Sequence, residues 1–151
     1  MRHGKVYLSF ILITFLIGYL SAVVSPPGSW YAALNKPWFN PPDYVFPIVW
    51  TILYVMIGIA GAKAWLAGLT GLPFLFWIVQ MGLNGLWSYL FFGLQTPGWA
   101  LVELVVLFAA IIGFILTTRK FARSAALLFL PYAAWVAFAG LLNASIWYLN
   151  S

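Results

Sequence analysis

The sequence predicts an all-α integral membrane protein, a single bundle of five transmembrane helices over residues 1–151. Three observations predict this fold class. First, 65% of the residues are hydrophobic and only 6% are charged, whereas a soluble domain carries about 25% charged residues. Second, the apolar residues form five continuous runs. Third, the basic residues fall in the gaps between these runs. A soluble protein of this composition would not cover its own surface with polar groups, so the membrane class follows.

Each run is long enough to cross a bilayer as a helix, which takes about 20 apolar residues. The five predicted spans are Val6–Val24, Val45–Leu66, Leu72–Phe92, Trp99–Thr117 and Ala125–Leu149. Strands of a membrane barrel would instead show alternating segments of about 10 residues. The first apolar run exceeds the 7–15 residues typical of a signal peptide. We therefore expect it to remain as a helix.

Proline positions support the division into spans. Pro47 and Pro73 fall in the first turns of their helices, where the missing N–H costs little. Pro97 directly precedes the fourth predicted span. Pro131 is the exception, since it lies inside the fifth span, where it would free the carbonyl of Leu127 and bend the helix.

The basic residues predict the orientation of the chain in the membrane. One side of the predicted bundle carries six of the seven Lys and Arg residues, namely Arg2, Lys5, Lys63, Arg119, Lys120 and Arg123. The other side carries Lys36 alone, beside Asp43. By the positive-inside rule, the N-terminus is predicted in the cytoplasm and the C-terminus outside. A helical bundle favours a bacterial inner membrane.

The residue inventory excludes several kinds of chemistry. The chain has no cysteine, one histidine (His3) and two acids (Asp43 and Glu103). Disulfides, metal clusters, a Ser-His-Asp triad and a two-carboxylate site are therefore excluded. No phosphate-binding glycine motif is present, and we expect no cofactor. The net charge of +5 reflects membrane topology, so no nucleic-acid partner is expected.

Polar and aromatic residues recur at helical spacing on three predicted spans. These faces are Phe46, Trp50, Leu53, Tyr54 and Ile57 on the second span, Gln80, Asn84, Trp87, Ser88 and Phe91 on the third, and Trp135, Ala139, Leu142, Asn143 and Ile146 on the fifth. Their depths predict that they meet in the outer half of the bundle. The connection "WYAALNKPWFNPPDY", residues 30–44, would lie directly above them. We therefore predict a lid-like loop between the first two helices, closing an aromatic and weakly polar cavity.

Simpler interpretations stay open for several of these residues. The interfacial aromatic belt accommodates Trp30, Trp38, Trp65, Trp99, Trp147 and Tyr148, whereas Trp135 lies too deep for it. Gln80, Asn84 and Asn143 would also serve to cross-link helices. Glu103 fits either a hydrogen-bonded neutral acid or a proton relay. Lys36 would reach lipid headgroups by snorkelling.

Five motifs resemble the tryptophan-rich sensory protein (TspO) family, which includes the mitochondrial translocator protein. They are "WYAALNKPWFNPP", "PIVWTILY", "LNGLWSYLFFG", "GWALVELV" and "LPYAAWVAFAGLLN", and they occur in the family's order over nearly the whole chain. The resemblance implies a five-helix bundle that is usually a homodimer. It also implies a pocket for porphyrins such as protoporphyrin IX, for isoquinoline and benzodiazepine drugs and, in some members, for sterols.

The resemblance assigns the candidate site by position. Trp30, Tyr31, Pro41 and Pro42 match the lid of the family's pocket, and its walls are matched by Trp50, Asn84, Trp87, Ser88, Trp135, Ala139 and Leu142. Trp50 and Trp135 also match two tryptophans proposed to take part in light-dependent porphyrin breakdown.

Three positions depart from the family's pattern. Phe39, preceded by Trp38, stands where the family often has Trp, and Glu103 stands where it often has Asp. No Lys or Arg follows Tyr148, so the C-terminal sterol pattern fails.

Three functions remain at this stage. The leading hypothesis is a membrane receptor or carrier for tetrapyrroles, involved in their transport, sensing or stress regulation. The alternative is a light-dependent porphyrin-degrading enzyme that uses Trp50 and Trp135, although no acid–base pair or metal site supports ordinary catalysis. A passive scaffold or pore is the third, and it is disfavoured because the cytoplasmic half offers little polar lining beyond Gln80.

Overall fold

The computed structural model describes residues 2–151, and their regular structure is helical throughout. The elements, in chain order, are α1 (Arg2–Val24), α2 (Ser29–Ala33), α3 (Val45–Leu66), α4 (Leu72–Ser88), a π-helical turn (Tyr89–Gly93), α5 (Pro97–Thr118), α6 (Arg123–Leu128) and α7 (Leu130–Leu149).

Five helical segments are long and apolar enough to cross a membrane. They are α1, α3, α4 with the π-helical turn, α5, and α6 with α7. The predicted all-α bundle of five spans is thereby confirmed, with α1 and α3 joined by the lid-like loop of residues 25–44. We call this loop the lid. It contains α2, a helix of five residues that the proline-rich sequence does not predict.

The span boundaries differ from the predicted ones at several ends. α1 begins at Arg2 instead of Val6, and α5 covers Pro97–Thr118 instead of Trp99–Thr117. As predicted, Pro131 lies inside the fifth span, Arg123–Leu149, and the helix is interrupted close to it. The helix is divided at Phe129, and Pro131 lies in the first turn of α7. Because proline has no N–H to donate, the first turn is the position that tolerates it best.

The helices pack around a core that runs along the centre of the bundle. The most extensive contacts are those of α4 with α5, of α1 with α3 and of α5 with α7. Phe114 and Phe129 stack at 4.0 Å in this core. Its other fully enclosed large side chains include Ile57, Met81, Leu107, Ile111, Tyr132 and Val136.

Small residues let two of the spans approach closely. A Cβ atom added to Gly58 of α3 would lie 2.7 Å from the Ile11 Cα of α1, so the two backbones are in contact there. Nearby, the Thr14 hydroxyl lies 2.8 Å from the Ile11 carbonyl oxygen and 2.9 Å from that of Tyr54. Close approach through small residues and hydroxyl bonds between helices is how membrane helices associate.

Candidate ligand-binding site

The lid rests on aromatic residues at the C-terminal end of the third span. Trp30 of α2 contacts Phe91 edge-to-face, with ring centroids 5.7 Å apart. Tyr31 contacts Phe92 in the same way at 5.3 Å. Phe91 is completely buried. The two predicted lid residues of α2 therefore face the bundle, as expected for a lid.

A π-helical turn builds the surface on which the lid rests. The Leu94 N–H donates to the Tyr89 carbonyl oxygen at 2.7 Å, which is the wide i→i+5 bond of a π-helix. The turn ends where the Thr96 N–H and hydroxyl both bond the Leu90 carbonyl, at 3.0 and 2.8 Å. Such turns often occur at functional sites.

The rest of the lid is fixed to α7. The backbone of Asn35 bonds the Asn150 side chain, and Phe39 packs near Phe138 with centroids 6.4 Å apart. Phe39, which stands where the family often has Trp, thus helps to hold the lid against α7. Pro41 is half-buried in this region, whereas Pro42 is exposed.

Lys36 turns its charge back onto the lid. Its Nζ donates to the carbonyl oxygens of Tyr31 and Leu34, at 2.7 and 3.3 Å, and lies 4.5 Å from the centroid of the Tyr31 ring. Burial of the Tyr31 hydroxyl, and secondarily the charge of Asp43, raise the pKa of that phenol. The ammonium group thus stabilises the C-terminal end of α2. It is not directed at the site below.

Two tryptophans of the predicted wall point into the bundle. Trp50 stacks on Tyr54 at 5.5 Å and meets Tyr132 edge-on at 6.3 Å. Trp135 contacts Phe46 at 5.9 Å and Phe138 at 5.6 Å. The Nε1 of Trp135 is buried without a hydrogen-bond partner among the described residues. Its indole N–H is therefore a free donor next to the lid.

Asn84 lies at the centre of a side-chain network that joins three spans. The Tyr54 hydroxyl donates to Asn84 Oδ1 at 3.2 Å, and Asn84 Nδ2 donates to the Tyr132 hydroxyl at 2.8 Å. Tyr132 donates in turn to Gln80 Oε1 at 2.8 Å, and Gln80 Nε2 donates to the Trp77 carbonyl. This geometry supports the cross-linking interpretation of Gln80 and Asn84, because both polar atoms of the Asn84 amide are already paired.

Trp87 is held by a second polar link. Its Nε1 donates to Asn143 Oδ1 at 3.0 Å, and Asn143 Nδ2 donates to the Pro97 carbonyl at 2.8 Å. The Trp87 ring stacks on Phe91 at 4.9 Å. This link therefore fixes the position of the Trp87 ring, which packs on Phe91 beneath the lid. Asn143 was not among the predicted site residues, although its position on the polar face of the fifth span indicated it.

The remaining predicted wall residues are at least partly buried. Leu142 is buried, and Ser88 and Ala139 are half-buried. Together with Trp50, Asn84, Trp87 and Trp135, they come from α3, α4 and α7.

The rings of this interface contact one another, and two cavities lie elsewhere in the structure. One cavity, of about 460 Å³, runs between α1 and α4 past Phe10, Trp77 and Gly82. The other, of about 230 Å³, lies between α5 and α7 beside Leu104 and Gly140. Neither cavity is lined by a predicted site residue.

The sequence leaves two interpretations of Glu103, a hydrogen-bonded neutral acid or a proton relay. Glu103 is 7% exposed, on the inward face of α5, and neither carboxyl oxygen has a hydrogen-bond partner among residues 2–151. The paired-acid interpretation therefore lacks its partner. The same residues contain no cluster of three or more His, Cys, Asp or Glu side chains that could hold a metal ion.

The chain is similar to known proteins over most of its length. Residues 10–149 match the TspO/MBR family. The chain is 40% identical to the tryptophan-rich protein TspO of Chlorobaculum tepidum, over 89% of each chain. It is 36% identical to protein CrtK of Rhodobacter capsulatus, over 86% of this chain and 84% of the relative. It is also 34% identical to the translocator protein of Bos taurus, over 93% of this chain and 88% of the relative. The chain therefore belongs to the TspO/MBR family of multi-pass integral membrane proteins.

Proposed function

We propose that this protein is a membrane receptor or carrier that binds porphyrins and related flat aromatic ligands beneath the lid. One observation carries the proposal: Trp50, Trp87 and Trp135, from three different spans, are partly buried and pack against the interior of the bundle. A porphyrin is a large flat π-system, and indole rings stack on such surfaces in offset geometry. The family resemblance extends the ligand class to isoquinoline and benzodiazepine drugs.

The expected affinity follows from the contacts available. Each aromatic pair contributes about 0.5–1.5 kcal/mol beyond area burial. Burial of a few hundred Å² of apolar surface adds several kcal/mol at about 25 cal/mol per Å². After the costs of association, we expect binding in the low-micromolar range.

Binding requires the aromatic rings below the lid to separate. Trp50 is in contact with Tyr54, and Trp87 with Phe91, so a ligand must replace ring–ring contacts with its own. The lid can move away to admit a ligand because few contacts hold it on the bundle, namely the aromatic contacts of α2 and the Asn35–Asn150 bonds. A ligand that binds the open form would shift the population towards it.

A titration of protoporphyrin IX against the tryptophan fluorescence of the protein tests this proposal. In a Trp50→Ala, Trp135→Ala double variant we expect the dissociation constant to rise by at least about tenfold, from the loss of two stacking surfaces. Trp99→Ala is the control, because Trp99 is 70% exposed and lies outside the site. An unchanged affinity in the double variant would exclude the site.

A second candidate function is light-dependent porphyrin breakdown, with dioxygen as the oxidant and indole rings as electron carriers. It is favoured by the position of Trp50 and Trp135 at the same interface, where the Trp135 N–H has no partner. The pure protein would be incubated with protoporphyrin IX and air, in light and in the dark. Product formation at the wild-type rate after Trp50→Phe and Trp135→Phe would eliminate this function.

Transport and sensing are separated by a flux measurement. The names of two relatives, tryptophan-rich sensory protein and translocator protein, correspond to these two activities. Steady flux of porphyrin into liposomes that contain the protein would favour a carrier. Binding without flux would favour a receptor.

The proposed orientation places the lid and the C-terminus outside the cytoplasm, in a bacterial inner membrane. Support comes from the six basic residues on the opposite side and the single Lys36 in the lid. Reporter fusions at the C-terminus, active only on one side of the membrane, would test it.

The family resemblance also implies a homodimer. The molecular mass of the protein in detergent would test whether it forms one. The missing Lys or Arg after Tyr148 argues against recognition of sterols through this pattern.

A further inference from the structure

Most polar side chains near the lid already have hydrogen-bond partners. Asn84, Tyr132 and Gln80 bond one another, and Asn143 bonds Trp87 and the Pro97 carbonyl. Asn40 Oδ1, Trp135 Nε1 and Glu103 lack a partner, and Glu103 is the acid among them, with both carboxyl oxygens buried and unpaired in the described chain. An unpaired acid within a membrane helix is costly, and such residues are usually functional.

Helix packing places Glu103 at the depth of the candidate site. On the antiparallel pair α4 and α5, Ala100 clusters with Phe91, and a Cβ atom at Gly113 would meet the Phe76 ring. Because the two helices are antiparallel, Glu103, three residues after Ala100, lies at about the same height along the bundle as Trp87 and Ser88, which precede Phe91 by three to four residues. On the other side, Leu104 meets a Cβ built at Gly140 of α7 at 3.8 Å, within one turn of Ala139.

The side chain of Glu103 also faces the interior. It lies on the same buried face of α5 as Ala100 and Leu107. The carboxyl group thus stands beside the interface that the proposed ligand would open.

We propose that Glu103 recognises a carboxyl group on the rim of the bound porphyrin, by sharing one proton with it. This inference rests on the proposed function. A porphyrin whose faces stack on indoles presents its rim to α5, and the propionic acid groups of protoporphyrin IX lie on that rim. A carboxyl and a carboxylate with one proton between them form a short, strong hydrogen bond, whichever of the two supplies the proton.

Other groups at the site are less suited to this role. Lys36, the obvious cation for a ligand carboxylate, is bonded to carbonyl oxygens of the lid. The amide atoms of Asn84 are both paired. Glu103 therefore offers acceptor oxygens that need no existing bond to be broken.

The experiment compares protoporphyrin IX with its dimethyl ester, which keeps the ring but lacks the acidic O–H. We expect the wild-type protein to bind the free acid at least about tenfold more tightly, the size of one charge-assisted hydrogen bond. Glu103→Leu should remove this preference while leaving ester binding at least as strong. Glu103→Gln should retain part of it, because the amide oxygen still accepts a hydrogen bond. Asp43→Asn, the other acid of the chain, should keep the full preference.

The possible outcomes separate this inference from the proposed function. A preference that survives in Glu103→Leu, or a wild-type protein that binds acid and ester equally, overturns the role of Glu103 and leaves porphyrin binding in place. Failure of the folded wild-type protein to bind either compound overturns both. Thermal unfolding of each variant in detergent confirms that the compared proteins are folded.

Discussion

Asn150 holds the backbone of Asn35 through both of its amide atoms. Its Oδ1 accepts the Asn35 N–H at 2.9 Å, and its Nδ2 donates to the Asn35 carbonyl oxygen at 2.8 Å. The same Nδ2 donates to the Ile146 carbonyl at 2.7 Å, which fixes the side chain on the end of α7. The lid is therefore tied to the fifth span independently of its aromatic contacts with Phe91 and Phe92.

Removal of this tie should loosen the lid. In Asn150→Ala both bonds to Asn35 are lost, and each contributes about 0.5–1.5 kcal/mol. We expect backbone amide exchange in residues 30–44 to accelerate by about tenfold, measured by hydrogen exchange and mass spectrometry. Asn150→Asp keeps the oxygen that accepts the Asn35 N–H, so its exchange rate should lie between those of the wild type and Asn150→Ala. Ser151→Ala is the control, and unchanged exchange in Asn150→Ala would contradict the tie.

The Tyr132 hydroxyl should contribute measurably to stability. Tyr132→Phe leaves Asn84 Nδ2 and Gln80 Oε1 without their partner, inside a bundle where water cannot replace it. We expect a loss of about 1–2 kcal/mol in the free energy of unfolding, since hydrogen bonds between membrane helices reach about that size. Unfolding in mixed micelles measures this. Tyr148→Phe should have no effect because Tyr148 is 82% exposed; equal stability of the two variants would argue against the network.

The contact of α1 with α3 should not tolerate a methyl group at Gly58. The added Cβ atom would lie 2.7 Å from the Ile11 Cα, and a backbone atom cannot move aside as a side-chain end can. We expect Gly58→Ala to destabilise the protein by about 1–3 kcal/mol, the usual cost of overpacking. In Gly82→Ala the methyl group meets nothing within 4 Å, so stability should stay the same or rise. Similar unfolding curves for both variants would contradict the close approach.

The lid should weaken at high pH through Tyr31. Burial, and then the charge of Asp43, raise the pKa of this phenol above its ordinary value of 10.0. The closed lid therefore binds the phenolic proton more tightly than the open lid does. Its stability is full below about pH 10 and falls as the pH rises further.

Absorbance of the phenolate, as the difference between wild type and Tyr31→Phe, follows this titration. Asp43→Asn should lower the pKa of Tyr31 only in part, because burial is the larger cause. A Tyr31 that ionises at the ordinary phenol pKa of about 10 would contradict a buried hydroxyl.

The sequence carried enough information for the spans and for the inward faces. Length and continuous hydropathy define the spans because a bilayer sets both. The periodicity of a helix defines the faces, and Trp50, Asn84 and Trp135 do point inward. The depth of these faces predicted that residues 30–44 form a lid, and the family resemblance matched Trp30 and Tyr31 to the lid of the family's pocket.

Pairing between side chains is what the sequence did not reveal. Asn84 was open to two interpretations because only the folded chain brings the Tyr54 and Tyr132 hydroxyls to its amide. Pro131 predicted a bend in the fifth span but not the position of the interruption, which lies at Phe129. Likewise, no residue pattern distinguishes a paired from an unpaired Glu103.

The π-helical turn at Tyr89–Gly93 makes chain length matter more than residue identity at this point. Successive residues of an α-helix are rotated by about 100° around its axis. Deletion of one residue here would restore an α-helix. The phenyl rings of Phe91 and Phe92 would then be rotated by about 100° around the helix axis, away from α2. A homologue one residue shorter in this turn would therefore present a differently aligned surface to its lid, even if every side chain were the same.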